Sequence, residues 1–128
     1  MDLNQVTVPC LDYEASVEFY KKLGLRQIVH SPPRYARFET SAGTTLSIHS
    51  VDRQHTCAET VIYFEVDDVD SAVSKLEDQG LVFDTPPTDQ RWLWREATLE
   101  DPAGNRICIY HAGENRRNPP WRIDQCMP

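Results

Sequence analysis

The stretch DYEASVEFYKKLGL, residues 12–25, decides how this chain reads, because it returns 56 residues later as DVDSAVSKLEDQGL, residues 68–81. In the first copy Asp12 offers a carboxylate to cap a helix. Tyr13, Val17 and Tyr20, with Ser16, Phe19 and Leu23, then recur at the i, i+3, i+4, i+7 spacing of a single buried stripe. Gly24 supplies the stop. In the second copy Asp67 and Asp68 cap the helix, Val69, Ala72, Val73 and Leu76 carry the stripe, and Gly80 ends it.

Working outward, each helix sits inside the same run of extended segments. Before the first lies Leu3 to Val8, whose alternation sets Leu3, Gln5 and Thr7 on one face and Asn4, Val6 and Val8 on the other. After it come Leu25 to His30, Tyr35 to Thr40 and Thr44 to Ser50, separated by Pro32 and Pro33 and by the Ser41, Ala42, Gly43 turn. The second unit starts with Thr60 to Val66. Beyond its helix, Leu81 to Asp84 begins a strand that Pro86 and Pro87 interrupt. Trp94 to Glu100 and Arg106 to His111 then flank a turn at Asp101, Pro102, Ala103 and Gly104. The offset of 56 also carries Leu25 onto Leu81 and Gln5 onto Val61, and a later offset of 61 pairs Gly43 with Gly104 and Ser47 with Cys108. Helices, proline breaks and final strands all match, so the duplication is real. The expected fold is α+β, with tandem βαβββ modules over residues 1–55 and 58–112 forming one domain whose mixed sheets curve into a cup. Residues 113–128 form a tail that the composition reads as neither strand nor helix, with Trp121 expected to dock.

With 128 residues the chain is one domain's worth. It lacks any apolar run near the ~20 residues a membrane helix needs, so no membrane partner is expected. Twenty acidic against thirteen basic residues give a net charge of −7, which argues against a nucleic-acid partner. The first residues carry no basic and apolar leader, and Cys10, Cys57, Cys108 and Cys126 contain no C-x-x-C pair. A cytoplasmic setting with reduced thiols is the expectation.

Three segments carry a family resemblance: ASVEFYKKLGL at 15–25, FEVDDVDSAV at 64–73 and REATLEDPAGNRI at 95–107. Together with the tandem units they resemble the vicinal oxygen chelate superfamily of glyoxalases, bleomycin-resistance proteins, fosfomycin-resistance enzymes and extradiol dioxygenases. The resemblance covers about Leu3 to His111. It implies two half-cups enclosing a site, either within one chain or across a homodimer, and both arrangements stay open.

Members of that family that use a divalent metal usually take one ligand from the first strand and one from the last strand of each unit. By resemblance those four slots hold Gln5, Ser47, Val61 and Cys108 here. Serine is a poor ligand and valine none, and no neighbouring residue in any of the four strands is a carboxylate or imidazole. No cofactor is therefore expected. The alternative is a divalent Ni, Zn, Mn or Fe ion held by a rearranged set such as Gln5, His49 and Glu65 in a glyoxalase-like lyase or dioxygenase.

The remaining candidates follow from strand parity. His49 shares the Ser47 face and is a ligand, acid/base or rim residue. Glu65 shares the face of Val61 and Tyr63, and Glu39 that of Arg37, so either glutamate could act as a base or form a rim ion pair. His30 and His55 read as solvated, and His111 as facing away from the cavity. Cys108 reads as a small buried side chain without a base beside it. Tyr63 and Tyr110 share parity with the slots. Arg91, Trp92, Trp94 and Arg95 fall together. The family's W-G-x-R-E segment matches Trp92 to Glu96 with Leu93 in place of glycine, which by resemblance puts Trp92 and Arg95 near the pocket. Indole and guanidinium groups suit a planar or anionic molecule. The expected function is binding of a small aromatic or anionic molecule in the cup, through Gln5, Ser47, His49, Tyr63, Trp92, Arg95, Cys108 and Tyr110, without the family's metal.

Overall fold

The computed structural model describes residues 1–53 and 60–123. The first unit comprises β1 (Gln5–Cys10), α1 (Tyr13–Lys22), β2 (Arg26–Ser31), β3 (Tyr35–Glu39) and β4 (Thr45–Ser50). In the second, β5 (Val61–Glu65), α2 (Val69–Asp78), β6 (Thr85–Asp89), β7 (Arg95–Glu100) and β8 (Arg106–His111) repeat that order, and a single-turn α3 (Glu114–Arg117) follows. The sheets have the orders β1-β4-β3-β2 and β5-β8-β7-β6, with the first pair of each parallel and the rest antiparallel. His55, Cys57 and the Cys57 to Glu59 linker, like Cys126, lie outside the described residues.

Both helices start as their sequences dictate. Asp12 Oδ1 accepts from the Ala15 amide at 3.1 Å, and Asp68 Oδ1 accepts from the Ser71 amide at the same distance. Past the ends, Gly24 and Gly80 hold φ of +106° and +92°, where a side chain would be strained.

Two expectations are corrected. Pro86 and Pro87 do not interrupt a strand begun at Leu81, for they lie inside β6 while residues 81–84 are irregular. β6 is the outermost strand of its sheet, and its pairing with β7 shifts register between Thr85 and Thr88, so the prolines fall at an irregularity of an edge strand, where a missing N–H is tolerated. The tail is not wholly irregular either. α3 forms because Glu114 stands at its start and Arg116 and Arg117 at its end, complementing the helix dipole.

One face of each sheet is covered by helices, and these two faces share a core. Val8, Phe38, Leu46 and Ile48 of the first sheet and Leu99, Ile107 and Ile109 of the second belong to one buried cluster, with Val17, Phe19 and Tyr20 of α1 among them. Burying each such side chain contributes ~1.5–3 kcal/mol. Polar contacts also tie the units together, since Asn105 Nδ2 donates to the Pro9 carbonyl at 2.9 Å. The outer faces therefore turn away from this core, and among the described residues no hydrogen bond or ring contact joins one outer face to the other. β1 and β5 each keep one edge without a described strand partner. No described helix is long and apolar enough to cross a membrane.

Candidate functional site

The slots that resemble the family's ligand positions all fall on the outer faces. On the first sheet the ladder sets Gln5 opposite Thr45, Thr7 opposite Ser47, and Arg37 opposite Ser47 on the other side. Ser47 is fully buried beneath its neighbours. Gln5 Nε2 donates to Ser47 Oγ at 2.7 Å, and Gln5 Oε1 accepts from the Thr45 hydroxyl. Ser47 Oγ also lies 2.6 Å from the Tyr35 hydroxyl, which accepts from Arg37 Nε at 2.9 Å. The amide oxygen that could bind a hard cation is thus already engaged.

On the second sheet Tyr63 lies opposite Cys108 and Glu65 opposite Tyr110. Trp94 and Tyr110 stack with centroids 4.7 Å apart, and Tyr63 meets both edge-on at 5.9 and 5.4 Å. This is an aromatic wall with favourable quadrupole geometry, and Tyr63 stays 49% exposed on it. Trp92 stands beside the wall, its Nε1 donating to Glu96 at 2.7 Å. Burial and the nearby Glu96 carboxylate push the Cys108 thiol up to about 12, so it holds its proton at neutral pH and is a poor nucleophile.

Metal chemistry does not fit this donor set. Val61 offers no donor, Cys108 is a protonated thiol, Ser47 is a hydroxyl enclosed by hydrogen-bond partners, and the Gln5 oxygen is taken. Within one chain the rearranged set is not brought together. Gln5 and His49 are on the first sheet and Glu65 on the second, and among the described residues no three His, Cys, Asp or Glu side chains are placed to hold a metal ion.

Several other candidates have structural partners. Glu65 Oε2 accepts from the backbone amides of Ala112 and Gly113 at 2.8 and 2.9 Å, with Arg116 3.7 Å from its other oxygen. Desolvation would raise its pKa, but these amides, His111 and Arg116 hold it below the usual carboxylate range. It is an anchor for the chain entering α3 rather than a poised base. Glu39 faces Arg26 at 4.0 Å. His30 is not merely solvated, for its Nδ1 lies 2.8 Å from the Tyr13 hydroxyl. His111 bonds the Val66 carbonyl at 2.7 Å. His49 is exposed, opposite Tyr35.

Arg95 is the main correction. Its ladder partner is His111, on the helix-covered side, and its guanidinium bonds Asp70 at 2.7 and 2.9 Å and Asp89 at 2.9 Å. A bidentate partner on α2 draws it away from the aromatic wall. Trp121 is likewise not docked in the single chain, being 56% exposed. Sequence reasoning missed Tyr35 and Glu96 as site residues. The alternation of Tyr35, Arg37 and Glu39 was the available signal for the first, and the parity of Glu96 with Trp94 for the second.

Comparison with known proteins agrees with the fold. The sequence model of the glyoxalase/bleomycin resistance protein/dioxygenase superfamily matches residues 2–109. The uncharacterized protein YraH of Bacillus subtilis (strain 168) is 30% identical over 125 residues, spanning 86% of this chain and 98% of YraH. A glyoxalase/bleomycin resistance protein/dioxygenase structure from Nocardioides superposes with a TM-score of 0.77 at 24% identity, covering 97% of this chain and 90% of that one. Lactoylglutathione lyase from Agrobacterium tumefaciens gives 0.71 at 17% identity, over 86% and 92% of the two chains. With its duplicated βαβββ units and a family match across most of its length, the chain belongs to the glyoxalase/bleomycin resistance protein/dioxygenase superfamily.

Proposed function

We propose that this protein binds a small molecule bearing an aromatic ring on the outer faces of its sheets, without a divalent metal, and that a second copy closes each cup. The observation that carries the reading is the wall of Tyr63, Trp94 and Tyr110, a ring surface left half-open beside slots whose side chains cannot assemble a metal site. Rings stack on such walls at ~0.5–1.5 kcal/mol per good pair beyond area burial. Closure by a second copy is supported by the two outer faces turning away from the shared core and by the free edges of β1 and β5, which invite strand-edge association.

The test begins with elemental mass spectrometry on untagged protein purified without chelators, where metal well below one equivalent is expected. Near-stoichiometric Ni, Zn, Mn or Fe would overturn the metal-free reading. A titration with 2-naphthamide, followed through the ring resonances of Tyr63 and Trp94, then tests the wall. Saturable shifts that disappear in Tyr63→Ala are expected, and their absence in the parent protein would overturn ring binding. Sedimentation showing only monomer at the concentrations that bind would overturn closure by a second copy.

A further inference from the structure

We propose that Tyr35 and Arg37 form a subsite for a carboxylate or similar oxyanion of the molecule bound in the cup. This rests on the cup reading above, and it assigns the anionic end of the ligand to the first sheet rather than to Arg95.

The argument is one of donors and acceptors. Ser47 is fully buried, and its oxygen accepts from Gln5 Nε2, whose amide is oriented by the Thr45 hydroxyl on its other side. The Ser47 hydrogen is then best directed at its 2.6 Å neighbour, the Tyr35 oxygen. That oxygen also accepts from Arg37 Nε. With both of its acceptor positions filled by protein donors, the Tyr35 hydroxyl has its own hydrogen left for the open side of the sheet.

Arg37 adds the charge. Its Nε is held by Tyr35 and its guanidinium lies 5.5 Å from the Tyr35 ring centroid, while its two terminal nitrogens have no described protein acceptor. Other arginines of the chain are already paired. Arg95 is bound by two aspartates, Arg26 faces Glu39 and Arg116 faces Glu65. In a chain with twenty acidic residues, an outward guanidinium fixed at one nitrogen and open at two is a ready partner for an acceptor-only group. His49, opposite Tyr35 in the ladder, borders the same spot. Tyr35 O–H and the Arg37 terminal N–H groups thus converge as donors where the family slot would otherwise hold a metal ligand.

The probes are 2-naphthoate and its neutral amide, 2-naphthamide, which share the ring and differ in charge. Binding to the full chain is followed by tryptophan fluorescence at neutral pH. The parent protein is expected to bind naphthoate about tenfold more tightly than naphthamide, the order of one charge-assisted bidentate contact. Arg37→Met should erase that preference by weakening naphthoate far more than naphthamide, and Tyr35→Phe should reduce it severalfold. Equal affinity for the two probes in the parent protein, or a preference that survives Arg37→Met, would overturn the subsite while ring binding stands. Failure of both probes to bind would overturn the cup reading, and the subsite with it. If Arg37→Met does not fold, Tyr35→Phe decides, and an undiminished preference there counts against the proposal.

Discussion

The Tyr20 hydroxyl donates to Asp101 Oδ2 across 2.6 Å, joining the end of α1 in the first unit to the β7–β8 turn of the second. Both residues are buried, and the same carboxylate accepts from the amides of Ala103 and Asn105 and from Asn105 Nδ2. Asp101 thus shapes its own turn and fastens it to the opposite unit. Burial and the Asp101 charge push the Tyr20 phenol far up, so the bond persists across the working pH range.

Tyr20→Phe keeps the ring against Phe38 and removes only the donor, leaving a buried carboxylate short of one partner. We expect a loss of about 1–3 kcal/mol in denaturant unfolding. Unchanged stability would mean that the turn alone satisfies Asp101.

Leu93 holds a φ of +70° in the turn between β6 and β7, where the family pattern carries glycine. A side chain in this region costs about 1–2 kcal/mol, against ~0.5–1 kcal/mol for the extra unfolded-state freedom of glycine. Since Leu93 is exposed, little packing is lost. Leu93→Gly should therefore stabilise the protein by roughly 0.5–1 kcal/mol, read as a raised thermal midpoint.

Tyr35 is the one tyrosine of five whose phenol moves below the ordinary value near 10. Desolvation opposes this, but the Ser47 hydrogen bond and the Arg37 bond and charge outweigh it. A pH titration of tyrosinate absorbance should show one early step that Tyr35→Phe removes and Arg37→Met shifts upward. A bound carboxylate should also shift it upward, since two negative charges would then share one guanidinium.

Glu65 has a folded pKa below its unfolded value near 4.5, so its contribution is present above that pH and fades as pH falls through the folded value. Amide exchange at Ala112 and Gly113 should quicken over that acid range in the parent protein. In Glu65→Gln it should be fast already at neutral pH. Equal protection in the two proteins would show that α3 is held by other contacts.

Much of the fold was legible in the residues because periodicity and caps are local. Asp12, Asp68, Gly24 and Gly80 mark helix ends through bonds to near neighbours, the resemblance assigned Gln5 and Ser47 to slots that the structure joins by a hydrogen bond, and strand parity put Tyr63 and Tyr110, whose rings meet, on one face. Two misreadings have one cause. Pro86 and Pro87 look like a break unless β6 is known to be an edge strand, and Arg95 looks like a ligand-binding cation unless Asp70 and Asp89 are known to reach it. Both depend on neighbours distant in sequence or on position within a sheet.

The repeat thus determined the duplicated architecture, and the motifs at 15–25, 64–73 and 95–107 pointed to the family, since both follow from which side chains occur at which spacing. Tertiary structure decided which face each charged group serves. It turned Glu65 toward the amides of Ala112 and Gly113 that lead into α3, bound Arg95 to α2, and left Arg37 open beside Tyr35, because a charge goes to whichever partner the packing brings within hydrogen-bond reach.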